Sequence, residues 1–165
     1  LMVAKFYQHD ETALVWKDSG GDEAFTLQNL GAAAGRNGAL HDFGTAARAA
    51  LYAWRLWVKF AATTNLVVGD EVYVYWRTSD GVSPDNDDGT GDVALSHADK
   101  LKNLLHIGTL LVDEVSSTAL MVKSGVVWVE HRWGGPVVYN NAGEAFVNTA
   151  NVCGFSLTPI PMESQ

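Results

Sequence analysis

A single cysteine, Cys153, stands in this chain of 165 residues, so no intrachain disulfide can form. Its plain reading is a buried thiol in a strand, and nothing predicts oxidative maturation. Basic residues are scarce: 11 Lys and Arg against 19 Asp and Glu give a formal net charge of −8. That balance argues against a nucleic-acid partner, which needs cations to neutralise phosphates. It argues equally against adsorption to an anionic membrane. Long apolar runs are missing too, and none reaches the roughly 18 residues of a spanning helix. The opening LMVAKFYQHDE turns polar too soon for the apolar core of a signal peptide, which predicts a chain made without that export route.

Catalytic patterns are equally sparse. His9, His41, His97, His106 and His131 form no HxH, HExxH or Cys/His array, the spacings that hold a zinc ion. No GxSxG elbow is present. Gly20-Gly21 and Gly134-Gly135 lack the spacing of a phosphate-cradling loop. Asp113-Glu114 and Glu130-His131 are adjacent, so in a strand their side chains diverge to opposite faces. The expectation is a chain that is not an enzyme and carries no cofactor.

What is present reads as a globular core. Apolar residues make up 47% and six are Trp, large packing units for one domain spanning 1–165. An extended N-terminal arm at 1–10 and a C-terminal tail at 158–165, stiffened by Pro159 and Pro161, would flank it. Period-2 alternation is clearest at 52–60, where Tyr52, Trp54, Leu56, Val58 and Phe60 share one face. Val72, Val74 and Trp76 repeat the pattern, and the two segments read as an antiparallel hairpin. Shorter strands fall at 13–16, 25–27, 107–112, 119–122, 126–129, 136–139, 145–147 and 152–157, with Ser124-Gly125 read as a turn. Residues 98–106 place Leu101, Leu104 and Leu105 at helical spacing, and 45–51 suits one helical turn. Short strands punctuated by turn residues predict an all-β fold. The form expected is a jelly-roll-like antiparallel β-sandwich of about eight or more strands with one short helix.

Two features invite function. The loop at 79–96 is rich in Asp, Asn and Gly, and hard cations favour such oxygens. EF-hand order fails, because Gly89 occupies the third ligand position and no Glu stands at the twelfth. A different calcium site at Asp85, Asp87, Asp88 and Asp92 stays open beside the reading of a polar rim loop displayed outward. The second feature is the strand face opposite the core, with Arg55, Trp57, Lys59, Tyr73, Tyr75 and Arg77. Aromatic and arginine mixtures mark interface hot spots. The same mixture could stack sugar rings, or lie under a loop of its own chain.

Several segments together carry a resemblance: LVWKDSGGDEAFTLQNLGAAAGRNGALHDFG, RLWVKF then VYVYWRTSDG, PDNDDGTGD, KLKNLLHIGTLLVD, and PVVYNNAGEAF then FSLTPIPMESQ. Over roughly residues 10–163 the chain resembles a family of small virion structural proteins of tailed bacteriophages. The resemblance implies a jelly-roll-like protein on the capsid exterior that decorates or cements the shell, or forms the base of a head fibre. It implies the major capsid protein and copies of the chain itself as partners, in a closed symmetric oligomer such as a trimer. It brings no catalytic motif. A carbohydrate-binding jelly-roll module that aids adsorption to glycans is the alternative.

Overall fold

The alternation at 52–60 is realised in a strand whose inward residues are almost wholly buried, and the rest of the fold is built around it. The structure, a computed structural model, describes residues 12–45 and 49–160. Its strands in chain order are β1 (Leu14–Lys17), β2 (Glu23–Ala24), β3 (Ala34–Asn37), β4 (His41–Asp42), β5 (Leu51–Val58) and β6 (Glu71–Ser79). They continue with β7 (Val93–Ala94), β8 (Leu105–Leu111), β9 (Met121–Trp128), β10 (Trp133–Asn140) and β11 (Gly154–Pro159). One sheet has the order β2-β1-β11-β5-β9 and the other β7-β3-β10-β6-β8, with β4 also pairing β10. Every ladder is antiparallel except the short one between β1 and β2. The protein is an all-β sandwich.

Setting aside the two-residue strands β2, β4 and β7 leaves eight. The first of these pairs with the last (Leu14 opposite Leu157) and the second with the seventh (Asn37 opposite Val137). The third pairs with the sixth (Leu51 opposite Trp128) and the fourth with the fifth (Glu71 opposite Leu111). This is a single antiparallel ribbon folded over on itself, the jelly roll.

Between the sheets lie Trp16, Trp54, Trp76 and Phe155, each at most 1% exposed. The Trp54 and Phe155 rings stack with centroids 6.1 Å apart, and Trp16 meets Trp76 edge to face at 6.1 Å. Burial of a ring of this size is worth about 3 kcal/mol on transfer scales, with a further increment for ring geometry. Two glycines make room for the Trp54 indole. A Cβ on Gly108 of β8 would lie 2.7 Å from it, and one on Gly125 of β9 would lie 2.8 Å away.

Several expectations are corrected. Segments 52–60 and 72–77 are no hairpin, since β5 and β6 lie in opposite sheets. Alternation determines which side chains face the core; it does not choose the neighbouring strand. Ser124 and Gly125 are no turn but run inside β9, where the missing Cβ admits Trp54. The helix at 98–106 is a 3-10 helix over Ala98–Asn103, capped by His97, whose Nδ1 accepts from the Asp99 amide at 3.1 Å. Leu105 instead opens β8 and is 57% exposed. Pro159 belongs to β11, opposite Tyr52, and the Ile160 amide donates to the Leu51 carbonyl at 2.9 Å. The expected tail therefore begins inside the sheet; its residues 161–165, the arm at 1–10 and residues 46–48 of the turn at 45–51 lie outside the described residues.

Candidate functional site

The loop at 79–96 folds back over the outer face of the β7-β3-β10-β6-β8 sheet, and Arg77 is the reason it stays there. Arg77 has outward parity on β6, yet it is 0% exposed. Its Nη1 donates to the Gly89 carbonyl at 2.8 Å, and its Nη2 donates to the carbonyls of Gly38 at 2.6 Å and Gly91 at 3.0 Å. Burial pulls the guanidinium down to about 10, against the opposing pull of the Asp88 and Asp92 charges. A buried cation of this kind needs its donors matched; the two terminal nitrogens are, while Nε has no hydrogen-bond partner among the described residues. The prediction that Arg77 joins an exposed interface is thereby overturned: its own loop covers it.

Each of the four carboxylates of the calcium reading is engaged by donors of the chain itself. Asp85 accepts from the Thr78 amide at 3.0 Å and from the Thr78 hydroxyl. Asp88 accepts from Asn37 Nδ2 at 3.0 Å and from the Ser96 hydroxyl at 2.7 Å. Asp92 accepts from Arg36 Nε at 2.6 Å and from the Thr26 amide at 3.1 Å. Asp87 is exposed; its carbonyl accepts from Lys100 Nζ at 2.8 Å, and its carboxylate lies 3.6 Å from the same ammonium, which also pairs with Asp88 at 3.4 Å. Burial works to raise the Asp88 and Asp92 carboxyls, but the bonds from Ser96 and Asn37, and from Arg36 and Thr26, outweigh it and hold both below their ordinary value. Among the described residues no group of three or more His, Cys, Asp or Glu is placed to hold a metal ion. The loop is a strap pinned by its own Asn86, which is 1% exposed, while Asp85, Asp87 and residues 89–91 face solvent.

The remaining predicted interface residues divide between the two outer faces. Arg55 and Trp57 face outward from β5, with Lys59 just beyond its end, and the Arg55 guanidinium lies 5.9 Å from the Trp57 ring centroid. The Trp57 indole crosses β11 at Gly154, where a Cβ would sit 2.5 Å from it. Tyr73 and Tyr75 face outward from β6 on the opposite side of the molecule. They meet Tyr139 and His106: Tyr73 lies parallel to Tyr139 at 6.4 Å, and His106 stands edge-on to Tyr75 at 5.2 Å. The Tyr73 hydroxyl donates to Glu71, which raises its pKa. One continuous six-residue patch therefore does not exist.

Beside Arg55 and Trp57 lies an apolar row that alternation along 119–129 would have revealed, had Ser124-Gly125 not been read as a turn. On β9, Val122 is 43% exposed, Val126 59% and Trp128 47%. They stand directly opposite Trp57, Ala53 and Leu51 of β5. At the end of the row a cleft of about 310 Å³ opens between the sheets, lined by Trp76, Leu105 and Trp128 with Asp85, Glu130 and His131 on its polar side. Cys153 is buried away from both faces, and burial pushes its thiol up to about 11.

The strand order places the protein in the class of jelly-roll β-sandwiches. Compared with known protein families and with curated proteins, the chain matches none.

Proposed function

We propose that this chain is a non-enzymatic structural component of a tailed-bacteriophage virion, which decorates or cements the exterior of the capsid. It would be made in the host cytoplasm and act on the assembled shell. The observation that carries the reading is the outward apolar face of β5 and β9, where Trp57, Val122, Val126 and Trp128 stand on a rigid sheet. Exposed apolar rows of this kind on a folded domain mark protein contacts. Arg55 beside Trp57 adds the residue pair that anchors such contacts. The partners would be the major capsid protein and copies of the chain itself. An acidic body, at a net charge of −8, suits the outside of a shell better than its DNA-filled interior.

The test is sedimentation of the purified chain with capsid shells of the parent phage that lack it. The chain should travel with the shells, and Trp57→Ala should release it while leaving the fold intact by circular dichroism. A chain that stays in the supernatant under all conditions refutes the reading. The cleft at Trp128 supports a second reading, a glycan-binding module, because an indole face with carboxylates and an imidazole at its rim suits a sugar ring. Saturable binding on a glycan array that Trp128→Ala abolishes, with no shell binding, would favour it.

A further inference from the structure

The four sheet edges of the sandwich are unequal. β2 and β7 are two residues long, too short to template another strand. β8 carries a bulge: Gly108 faces Val74 and His106 faces Tyr75, so Ile107 has no opposite residue and the edge bends. β9 has none of these devices. It runs for eight residues without proline or bulge, and β5 is its single hydrogen-bonded neighbour among the described strands, although β8 of the other sheet packs close to it.

Its free main-chain groups can be assigned. The Val129 amide donates to the Ala50 carbonyl at 2.7 Å, continuing the register that sets Trp128 opposite Leu51. In an antiparallel ladder the direction of these groups alternates. Odd-numbered residues therefore bond to β5, while Val122, Ser124, Val126 and Trp128 turn their N–H and C=O groups to the open edge.

We propose that two copies of this chain pair through β9, antiparallel, about a two-fold axis at Ser124. Their five-stranded sheets then join into one of ten strands. At this register Ser124 meets Ser124 of the second copy, Val122 meets Val126, and Leu120 meets Trp128. Every outward-directed main-chain group of the strand then finds a partner. The occupant is a second copy because the row Leu120, Val122, Ser124, Val126, Trp128 has the same polarity pattern in both directions, as an isologous contact requires. Charge points the same way. Copies at −8 repel one another over most of their surface, but residues 120–128 hold one charge, Lys123, and it falls opposite Gly125. Moving the axis to Lys123 would set the two lysines against each other. Moving it to Gly125 would set Ser124 against Val126 and leave Leu120 unpaired.

This names how the chain would meet its own copies, but it rests on the edge alone and not on the capsid reading. It is tested on the purified full chain with no shells present, so either can fail without the other. Sedimentation equilibrium should give twice the chain mass. Val126→Pro removes an outward N–H that β5 does not use, and it should give a folded monomer with unchanged circular dichroism. Ser124→Cys should form a disulfide-linked dimer, because directly opposite Cα atoms in a hydrogen-bonded pair lie about 5.5 Å apart, within disulfide reach. Val122→Cys and Val126→Cys should cross-link when mixed and not when oxidised separately, and the buried Cys153 will not interfere. A monomeric native chain, a trimer, or a dimer that Ser124→Cys leaves uncross-linked overturns the proposal.

Discussion

Arg77→Met isolates the strap from the rest of the sandwich. Methionine keeps much of the arginine stem's volume and removes every donor. The buried Gly38 carbonyl, reached by Nη2 at 2.6 Å, then loses its partner at about 2 kcal/mol. The Gly89 and Gly91 carbonyls lie at the surface and regain water, so each loses only the net value of a charge-assisted bond, about 1.5 kcal/mol. Against this, removing a cation whose pKa burial has lowered to about 10 returns about 3 kcal/mol. The balance is a destabilisation of about 2 kcal/mol, or roughly 4–8 °C in Tm for a domain of this size. Urea unfolding read by tryptophan fluorescence measures it, with Arg55→Met, on the exposed β5 face, as a control expected within about 0.5 kcal/mol of the parent. Hydrogen exchange should place the earliest loss of protection in residues 80–97. An Arg77→Met variant as stable as the parent, or more so, would show that the clasp is no better than a packed methyl thioether and refute the reasoning.

Two further outcomes follow from the geometry. Gly125→Ala would put a Cβ 2.8 Å from the Trp54 indole, whose ring also packs closely on Gly108; a loss of roughly 1–3 kcal/mol in urea unfolding is expected, and an unchanged midpoint would contradict the wedge. Asp88 and Asp92 titrate below their ordinary value in the folded chain, so their contribution is complete above the unfolded carboxylate pKa of about 3.9 and fades as pH falls through the lower folded values. Urea midpoints taken from pH 6 down to pH 2 should therefore decline below about pH 4, and less steeply in the Asp88→Asn, Asp92→Asn double variant; identical slopes would remove these two groups from the acid limb.

The inward residues of β5 and β6 were legible because burial on one face leaves a period-2 signal that no turn chemistry disguises. Tyr52, Trp54, Leu56, Val72, Val74 and Trp76 are all at most 1% exposed. Glycine misled where it served packing. At Gly125 the missing Cβ admits an indole from the opposing strand, and local sequence cannot distinguish that use from a turn. The Asp-rich loop misled for a related reason. Its composition announces polar groups in a tight space, but whether carboxylates converge on an ion or turn toward Asn37 and Arg36 depends on segments far away in the chain.

The amino-acid sequence alone determined the all-β class, the core faces of β5 and β6, the lone cysteine and the acidic balance, since these depend on local periodicity and on counting. The tertiary structure decided everything that depends on which strands meet. It separated β5 from β6, so that Trp57 and Tyr75 face opposite sides of the molecule. It drew Arg77 under the strap, where carbonyls from two distant segments converge on one guanidinium. Among the described strands it left β9 as the one long edge without bulge or proline, because strand pairing is a long-range choice that nearby residues do not encode.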